Sequence, residues 1–350
     1  MKDRTHLLNL LNEILVTHSP PGVEEEIDIV LLKWFKPYCD KVYQDEFGNV
    51  IGVIRGKKHN NPLRIMAHKD EIALAVKRIL DNGHIMVDFN GAFYPWKMGE
   101  CPVDIIGRKE IVKGVLSIGS LHTSPANKIR DFIDQKPLTI NDVYVNAALS
   151  REELEEDGVY PGARIVVARE FKKPIIVNNS VCGYNQDDKT AIVIMQMTME
   201  ELKREKYKPE QDIYFVGTSM EEVGSQGAAF ASRNLPGSRT VALEIGPVAE
   251  EYDVKLNHQP VIWYGPHGVY NKKASDAFFD LASTLGFGAQ AAYLWGAGSD
   301  ASQTLLQGFC SMAVCIAFPC DNTHGYEMAD IEGILNTKEL LVKAITHNII

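Results

Sequence analysis

Five short segments of this 350-residue chain place acids or a histidine at or just past an apolar, strand-like run. In open α/β sheets, ligands gather at the carboxyl ends of strands. In the segment MAHKDE, His68 and Asp70 leave an extended backbone on the same face. A ligating histidine needs its other ring nitrogen held by an acceptor; a purely structural histidine at a strand end is the alternative. In NQDDKTA, Asp187 and Asp188 open a helical run. They cap that helix, or a carboxylate there uses its two oxygens to bridge two cations. Glu221 and Glu222 follow DIYFVGTS directly. Adjacent carboxylates repel unless a metal or a proton relieves them. One would ligate while its neighbour acts as a general base, or both belong to the first turn of a helix. Glu244 interrupts the apolar run at 240–245, where an unpartnered charge is costly. His324 lies in a polar loop shortly after SMAVCIAF.

Taken together, these imidazoles and carboxylates form a nitrogen and oxygen set suited to zinc, cobalt or manganese, with no soft thiolate. A two-metal hydrolytic site needs a bridging carboxylate, terminal ligands and a free base, and the set contains all three. The six cysteines are scattered with no C-x-x-C pair, so neither a thiolate zinc site nor a disulfide framework is supported. That usage fits a reducing compartment. The 36 Lys and Arg against 46 Asp and Glu give a formal charge of -10. Such a balance argues against a nucleic-acid partner and points to an acidic cytoplasmic protein. No run of about 18 apolar residues predicts a membrane helix. The opening MKDRTHLLNLLNEIL, with Asp3 and Glu13, lacks a secretory layout.

These side chains need a scaffold. Residues 3–16 carry Leu7, Leu8, Leu11, Ile14 and Leu15 at helical spacing. Pro20, Pro21 and Gly22 break that helix. Glu24, Glu25 and Glu26 then fall in the first turn of a second, at the positive end of its dipole. Two β-rich runs around Phe47-Gly48-Asn49 predict a hairpin, followed by the strand LRIMAH. Residues 71–166 change texture: short Val/Ile-rich runs between Gly, Pro and Asn read as a small β-rich domain. Its clear helix starts at Ser150, in capping-box spacing with Glu153. Beyond 172, strands and helices alternate: strands at 174–179, 212–219, 240–246 and 311–318, and helices at 187–200, 224–232, 274–285 and 336–348. That alternation predicts an α/β sheet with helices on both faces. The expected organisation is one catalytic α/β domain, 1–70 plus 167–350, interrupted by a β-rich insert, 71–166.

Pro21-Gly22-Val23-Glu24-Glu25, AHKDE at 67–71, DDK at 187–189, EEVGSQGA at 221–228, GSDA around Asp300 and the late His324 stand in this order along the chain. Together they resemble the family-42 metallo-aminopeptidases, the glutamyl or tetrahedral aminopeptidases, over nearly the whole length. The resemblance implies a zinc-peptidase-like domain with a mixed sheet and two divalent metal ions per subunit, zinc or cobalt foremost, manganese also acceptable. It implies His68, Asp187 and Glu244 on one ion, and Asp187, Glu222 and His324 on the other, with Asp187 bridging. It makes Glu221 the general base, Asp70 the acid that orients His68, and Asp300 part of the substrate pocket. Small peptides become the expected substrates. Neither nucleic acid nor membrane is an expected partner, and the subunits are expected to assemble into closed homo-oligomers through the insert.

Three departures bear on substrate class. Glu244 stands where the family more often has aspartate. His324-Gly-Tyr-Glu327 replaces His-Ser-Pro-x-Glu, and Lys189 replaces arginine. The rival enzyme reading is a di-metal amidohydrolase or carboxypeptidase, which needs an arginine clamp on a substrate carboxylate. Arg130 and Arg169 are its candidates. A glycosidase would use paired carboxylates but has no use for the two histidines. A non-catalytic binding protein of the same fold would tolerate loss of the base or a ligand, and here every position holds an acceptable residue. Trp34, Trp96, Trp263 and Trp295 are expected to pack, as are Cys310, Cys315 and Cys320, read as small hydrophobes.

Overall fold

The computed structural model describes residues 2–92, 94–124, 129, 136–265 and 269–350. Arg130 lies outside these. The main sheet runs in the order Lys41–Gln44, Val50–Ile54, Gln211–Thr218, Lys58–His68, Arg239–Pro247, Met312–Asp321, Glu327–Asp330, Ser180–Gly183, Ile175–Val177. The strands from Gln211–Thr218 across to Met312–Asp321 are parallel. The two ends of the sheet are antiparallel, so the sheet is mixed.

Those parallel strands read as nearly continuous apolar runs because both of their faces are covered. Alternate residues sort by size. Val314, Ile316 and Phe318 face the larger core, with helices Lys2–Ile14, Glu25–Phe35, Gln186–Arg204, Lys272–Thr284 and Ile331–Thr346. Ala313, Cys315 and Ala317 face a smaller cluster that includes Ala301 and Trp263. Cys310 and Cys315 are buried there and Cys320 in the larger core, as expected of small hydrophobes. Trp34 and Trp263 are buried in the core, but Trp96 and Trp295 are not: they are 61% and 78% exposed.

Helix ends differ from the sequence reading where local backbone decides. The helix expected at 224–232 runs Gln226–Asn234, because Gly224 and Ser225 take left-handed φ values of 124° and 55°. The helix expected at 336–348 starts earlier, at Ile331, where Asp330 accepts from the Gly333 amide at 2.8 Å. The short strands Ser180–Gly183 and Glu327–Asp330 were not legible, since neither is long enough to show a period.

Between Ala73 and Val167 the chain builds a closed six-stranded barrel: Ala73–Ile79, Ile85–Asn90, Tyr144–Asn146, Ile111–Ser117, Cys101–Ile106, Arg164–Val167. Closure leaves no sheet edge, and the barrel encloses its own apolar core around Leu74, Val87, Val103, Ile105 and Ile165. Its helix Arg151–Glu156 carries the Ser150–Glu153 capping box.

A buried ionic network joins the barrel to the main domain. Lys172 Nζ lies 2.7 Å from both Glu71 oxygens and 2.9 Å from His18 Nδ1, and His18 Nε2 lies 2.9 Å from Asp104 Oδ2 of the barrel. Lys189 Nζ is 3.5 Å from Glu71, and Asn185 donates to the same carboxylate. Burial alone would raise the Glu71 carboxyl, but the charges of Lys172 and Lys189 outweigh it and hold the group at about 2. Glu71→Gln leaves two fully buried lysines without their anion, and is expected to destabilise the fold by about 3–5 kcal/mol in urea unfolding. The native Glu71 carboxyl sits below its unfolded value, so its contribution is full above about pH 4.5 and fades as pH falls towards 2. The variant should lose that part of the acid-limb slope.

Candidate active site

His68 ends its strand, 2% exposed. Its Nδ1 lies 3.5 Å from Asp70 Oδ1 and 3.2 Å from the Asp70 carbonyl. The two Asp70 oxygens also accept from the amides of Glu221 (2.9 Å) and Glu222 (3.1 Å). One carboxylate therefore faces the imidazole and pins the end of the neighbouring parallel strand. Glu221 and Glu222 are not a helix-start pair: the helix begins at Gln226, beyond Gly224. Ser225 Oγ donates to Glu221 Oε1 at 2.8 Å, and Glu221 Oε2 lies 4.0 Å from His68 Nε2.

Asp187 and Asp188 are not helix caps either. Both have non-helical backbone angles, and the peptide between them is cis. Asp187 offers Oδ1 to His68 Nε2 at 3.0 Å and Oδ2 to His324 Nε2 at 3.3 Å. It stands between the two imidazoles with one oxygen for each. Asp188 Oδ2 accepts from the His68 amide at 3.3 Å. Ligand atoms of His68, Asp187 and Glu222 lie within 4.8 Å of one another, and so do those of His68, Asp188 and Glu244. The sequence reading left Asp188 without a ligand role beside Glu244; its adjacency to Asp187 was the available signal.

His324 sits in a loop with a left-handed φ of 58°. Its Nε2 is 3.7 Å from Glu222 Oε2, and its Nδ1 faces the Ala92 carbonyl of the insert. The loop is tied down by Glu327, whose Oε1 accepts from the His324 amide at 3.0 Å. Its Oε2 accepts from Gln186 at 2.6 Å and from Asp187 at 3.1 Å. Glu327 thus locks both segments that bear imidazole-facing groups, a part that sequence reasoning did not assign although the motif contained it. Glu327→Ala is expected to lower kcat/KM by about 10- to 100-fold by loosening the placement of His324 and Asp187. Glu327→Gln, which keeps one acceptor oxygen, should lose less in the same steady-state assay.

Asp300 does not border the open space beside Asp187, Glu222 and His324. It is 2% exposed, opens the helix Asp300–Leu306 beneath the cluster, and accepts from Thr218 Oγ1 at 2.5 Å. Burial, with the Glu221 charge adding, raises its carboxyl to about 7. Arg169, a candidate substrate clamp, is held at the domain junction by both Glu26 oxygens, at 2.5 and 2.8 Å.

The charges at the site do not balance by themselves. Burial drives Glu222 and Glu244 well above the usual carboxylate range, with the Asp187 charge adding in both, and drives Asp188 up with Glu244 adding. Burial favours neutral His324, yet the Glu222 charge and the Asp187 hydrogen bond raise it to about 11. Among the described residues, no lysine or arginine pairs with Asp187, Asp188, Glu221, Glu222 or Glu244. Asp188 Oδ1 and Glu222 Oε1 are buried without a hydrogen-bond partner. Orphaned oxygens in an anionic, imidazole-bearing pocket fit divalent cations.

An α/β sheet carrying an inserted barrel, with acids and imidazoles converging at its strand ends, has the build of a peptidase-type hydrolase. The sequence pattern of the M42 glutamyl aminopeptidases matches residues 48–340, and the chain belongs to that family. The lysyl aminopeptidase of Pyrococcus furiosus is 26% identical over 266 residues, 74% of this chain and 73% of its own. An aminopeptidase from the archaeon Desulfurococcus kamchatkensis superposes with a TM-score of 0.88 at 24% identity, covering 98% of this chain and 95% of that one. The TET1 peptidase of Pyrococcus horikoshii, which can assemble into a tetrahedron or a large octahedral shell, gives 0.86 at 22% identity, covering 97% and 99%. Among the described residues no helix is long and apolar enough to cross a membrane.

Proposed function

We propose that the chain is a di-metal aminopeptidase that removes N-terminal residues from small peptides. The observation that carries this reading is Asp187, which presents one oxygen to each of two imidazoles, with Glu221 alongside. His68 and Glu244 would complete one cation site, with Asp188 close by; Glu222 and His324 would complete the other. Two divalent cations held there, zinc, cobalt or manganese, would polarise the scissile carbonyl and lower the pKa of the attacking water. Glu221 takes the proton of that water and passes it to the leaving amine. Asp70 keeps the His68 ring turned so that Nε2 faces the site.

The barrel insert, which supplies the Ala92 carbonyl to His324, would limit access to the site and join subunits into a homo-oligomer. The shells formed by the Pyrococcus horikoshii peptidase support that assembly. Six free cysteines, most of them buried, support a reducing, cytoplasmic setting.

The test is metal content by mass spectrometry of the purified protein, together with hydrolysis of aminoacyl and N-acyl-amino-acid amides. About two metals per chain with cleavage of free-amine substrates is the expected result. Cleavage of N-acylated substrates alone, or no metal uptake from zinc, cobalt and manganese, overturns it.

A further inference from the structure

The motif Pro21-Gly22-Val23-Glu24-Glu25 is remote in sequence from the imidazoles and acids of the site, yet one of its side chains reaches the segment that bears Glu221. Glu24 occupies the N-cap position of the helix Glu25–Phe35, but its carboxylate does not cap that helix. It is 6% exposed and turned the other way. Glu24 Oε1 accepts from the Met220 amide and from the Gly22 amide, each at 3.2 Å. Glu24 Oε2 lies 2.9 Å from Lys69 Nζ.

Four successive amides beyond the strand Gln211–Thr218 are thereby taken by side-chain oxygens of three other segments. Asn49 Oδ1 takes Ser219 at 3.0 Å, Glu24 takes Met220, and the two Asp70 oxygens take Glu221 and Glu222. Met220 is the strained member, with a left-handed φ of 57°. A residue other than glycine keeps such a conformation only where its surroundings over-determine it. Were Met220 to relax, the chain leading into Glu221 would turn, and Asp70 alone would hold the base. Lys69, fully buried, pairs with Asp28 as well as Glu24, so it keeps a counter-charge when Glu24 is changed.

We propose that Glu24 is a positioning residue for Glu221. Through the Met220 amide, its Oε1 fixes the Glu221 carboxylate where it stands, 4.0 Å from His68 Nε2. The catalytic consequence rests on the aminopeptidase reading, which makes Glu221 the base.

Two conservative variants separate reach from charge. Glu24→Gln keeps an acceptor oxygen at the same reach and loses the charge. Glu24→Asp keeps the charge and falls a methylene short of the Met220 amide. On the metal-loaded enzyme with an aminoacyl amide, Glu24→Asp should lower kcat by about 10- to 100-fold, with KM and metal content unchanged. Glu24→Gln should stay within a few-fold of native. Asp28→Asn also takes a carboxylate from Lys69, but Asp28 bonds to Lys69 and Gln44; it should lower Tm and leave kcat native. Glu24→Ala, which buries no charge, is the second variant should Glu24→Asp fail to fold. Hydrogen exchange of the 219–222 amides needs no turnover: native and Glu24→Gln proteins should protect Met220, and Glu24→Asp should not. A loss of kcat that follows charge instead of reach, or Met220 protection equal in all variants, overturns the positioning role and leaves the aminopeptidase intact. Protection that follows reach in a native protein that cleaves no aminoacyl amide removes the aminopeptidase reading and leaves Glu24 as the group that places residue 221.

Discussion

Glu221→Gln should lower kcat by about 10²- to 10⁴-fold while metal content and KM stay close to those of the native enzyme. Glutamine keeps the shape of the side chain and can still accept from Ser225 Oγ, which holds Oε1 at 2.8 Å in the native protein. What it loses is the ability to take a proton. Burial raises the Glu221 carboxyl above its ordinary value; His68 opposes that rise and Asp70 adds to it. A carboxylate lifted in this way is a stronger base than one in open water, which suits a proton relay near neutral pH. The neighbouring variant Glu222→Gln provides the contrast. Glu222 faces Asp187 and His324 instead, and its Oε1 has no protein partner. Its loss should therefore appear first as weakened metal retention. Single-turnover kinetics with metal analysis of both variants separates the two roles. A Glu221→Gln enzyme with native kcat, or one that has shed its metal, would remove Glu221 from the role of base.

Much of this was legible because chemistry and position coincide in the sequence. The parallel strands announce themselves as apolar runs, and the residues just beyond them, His68, Glu221 and Glu222, arrive at the site because such strands end on one edge. Ser150 and Glu153 form the capping box that their spacing predicted. The M42 family and the mixed α/β fold followed from the order of motifs. What sequence could not show depends on contacts between distant segments. Glu327 locks the 186–187 turn to the His324 loop from a strand of four residues, too short to show a pattern. Asp300 carries the motif that resembled a pocket residue, but the turn into its helix points it beneath the cluster, towards Thr218. Residue type alone puts Trp96 and Trp295 in the core, but Trp96 lies on the four-residue helix Pro95–Met98 and Trp295 in a bend, both too short to show a period.

Asp187→Ala is the substitution expected to do most damage to function. Asp187 supplies Oδ1 on the His68 side and Oδ2 on the His324 side, so under the proposed di-metal reading its removal would take a ligand from both cation sites at once. Metal content should fall from about two per chain to one or none, and activity should fall below that of Glu221→Gln. Stability provides a readout free of catalysis. Two cations that bind the folded chain alone would add about 3 kcal/mol for each ion present at a hundredfold excess over its Kd. Chelation should therefore lower the native Tm markedly and leave Asp187→Ala almost unmoved. The metal-free comparison has the opposite sign. Burial alone would raise the Asp187 carboxyl, yet the hydrogen bonds from His324 and His68 keep it ionised, so its charge faces Glu222 and Glu244 in the empty site. Removing that charge relieves repulsion but also deprives two imidazoles of their anion. Chelated variant and chelated native protein should then melt within a few degrees of each other. If chelation lowers both Tm values equally, Asp187 does not bridge two ions, and the carboxylates that hold them must be found among Asp188, Glu222 and Glu244 alone.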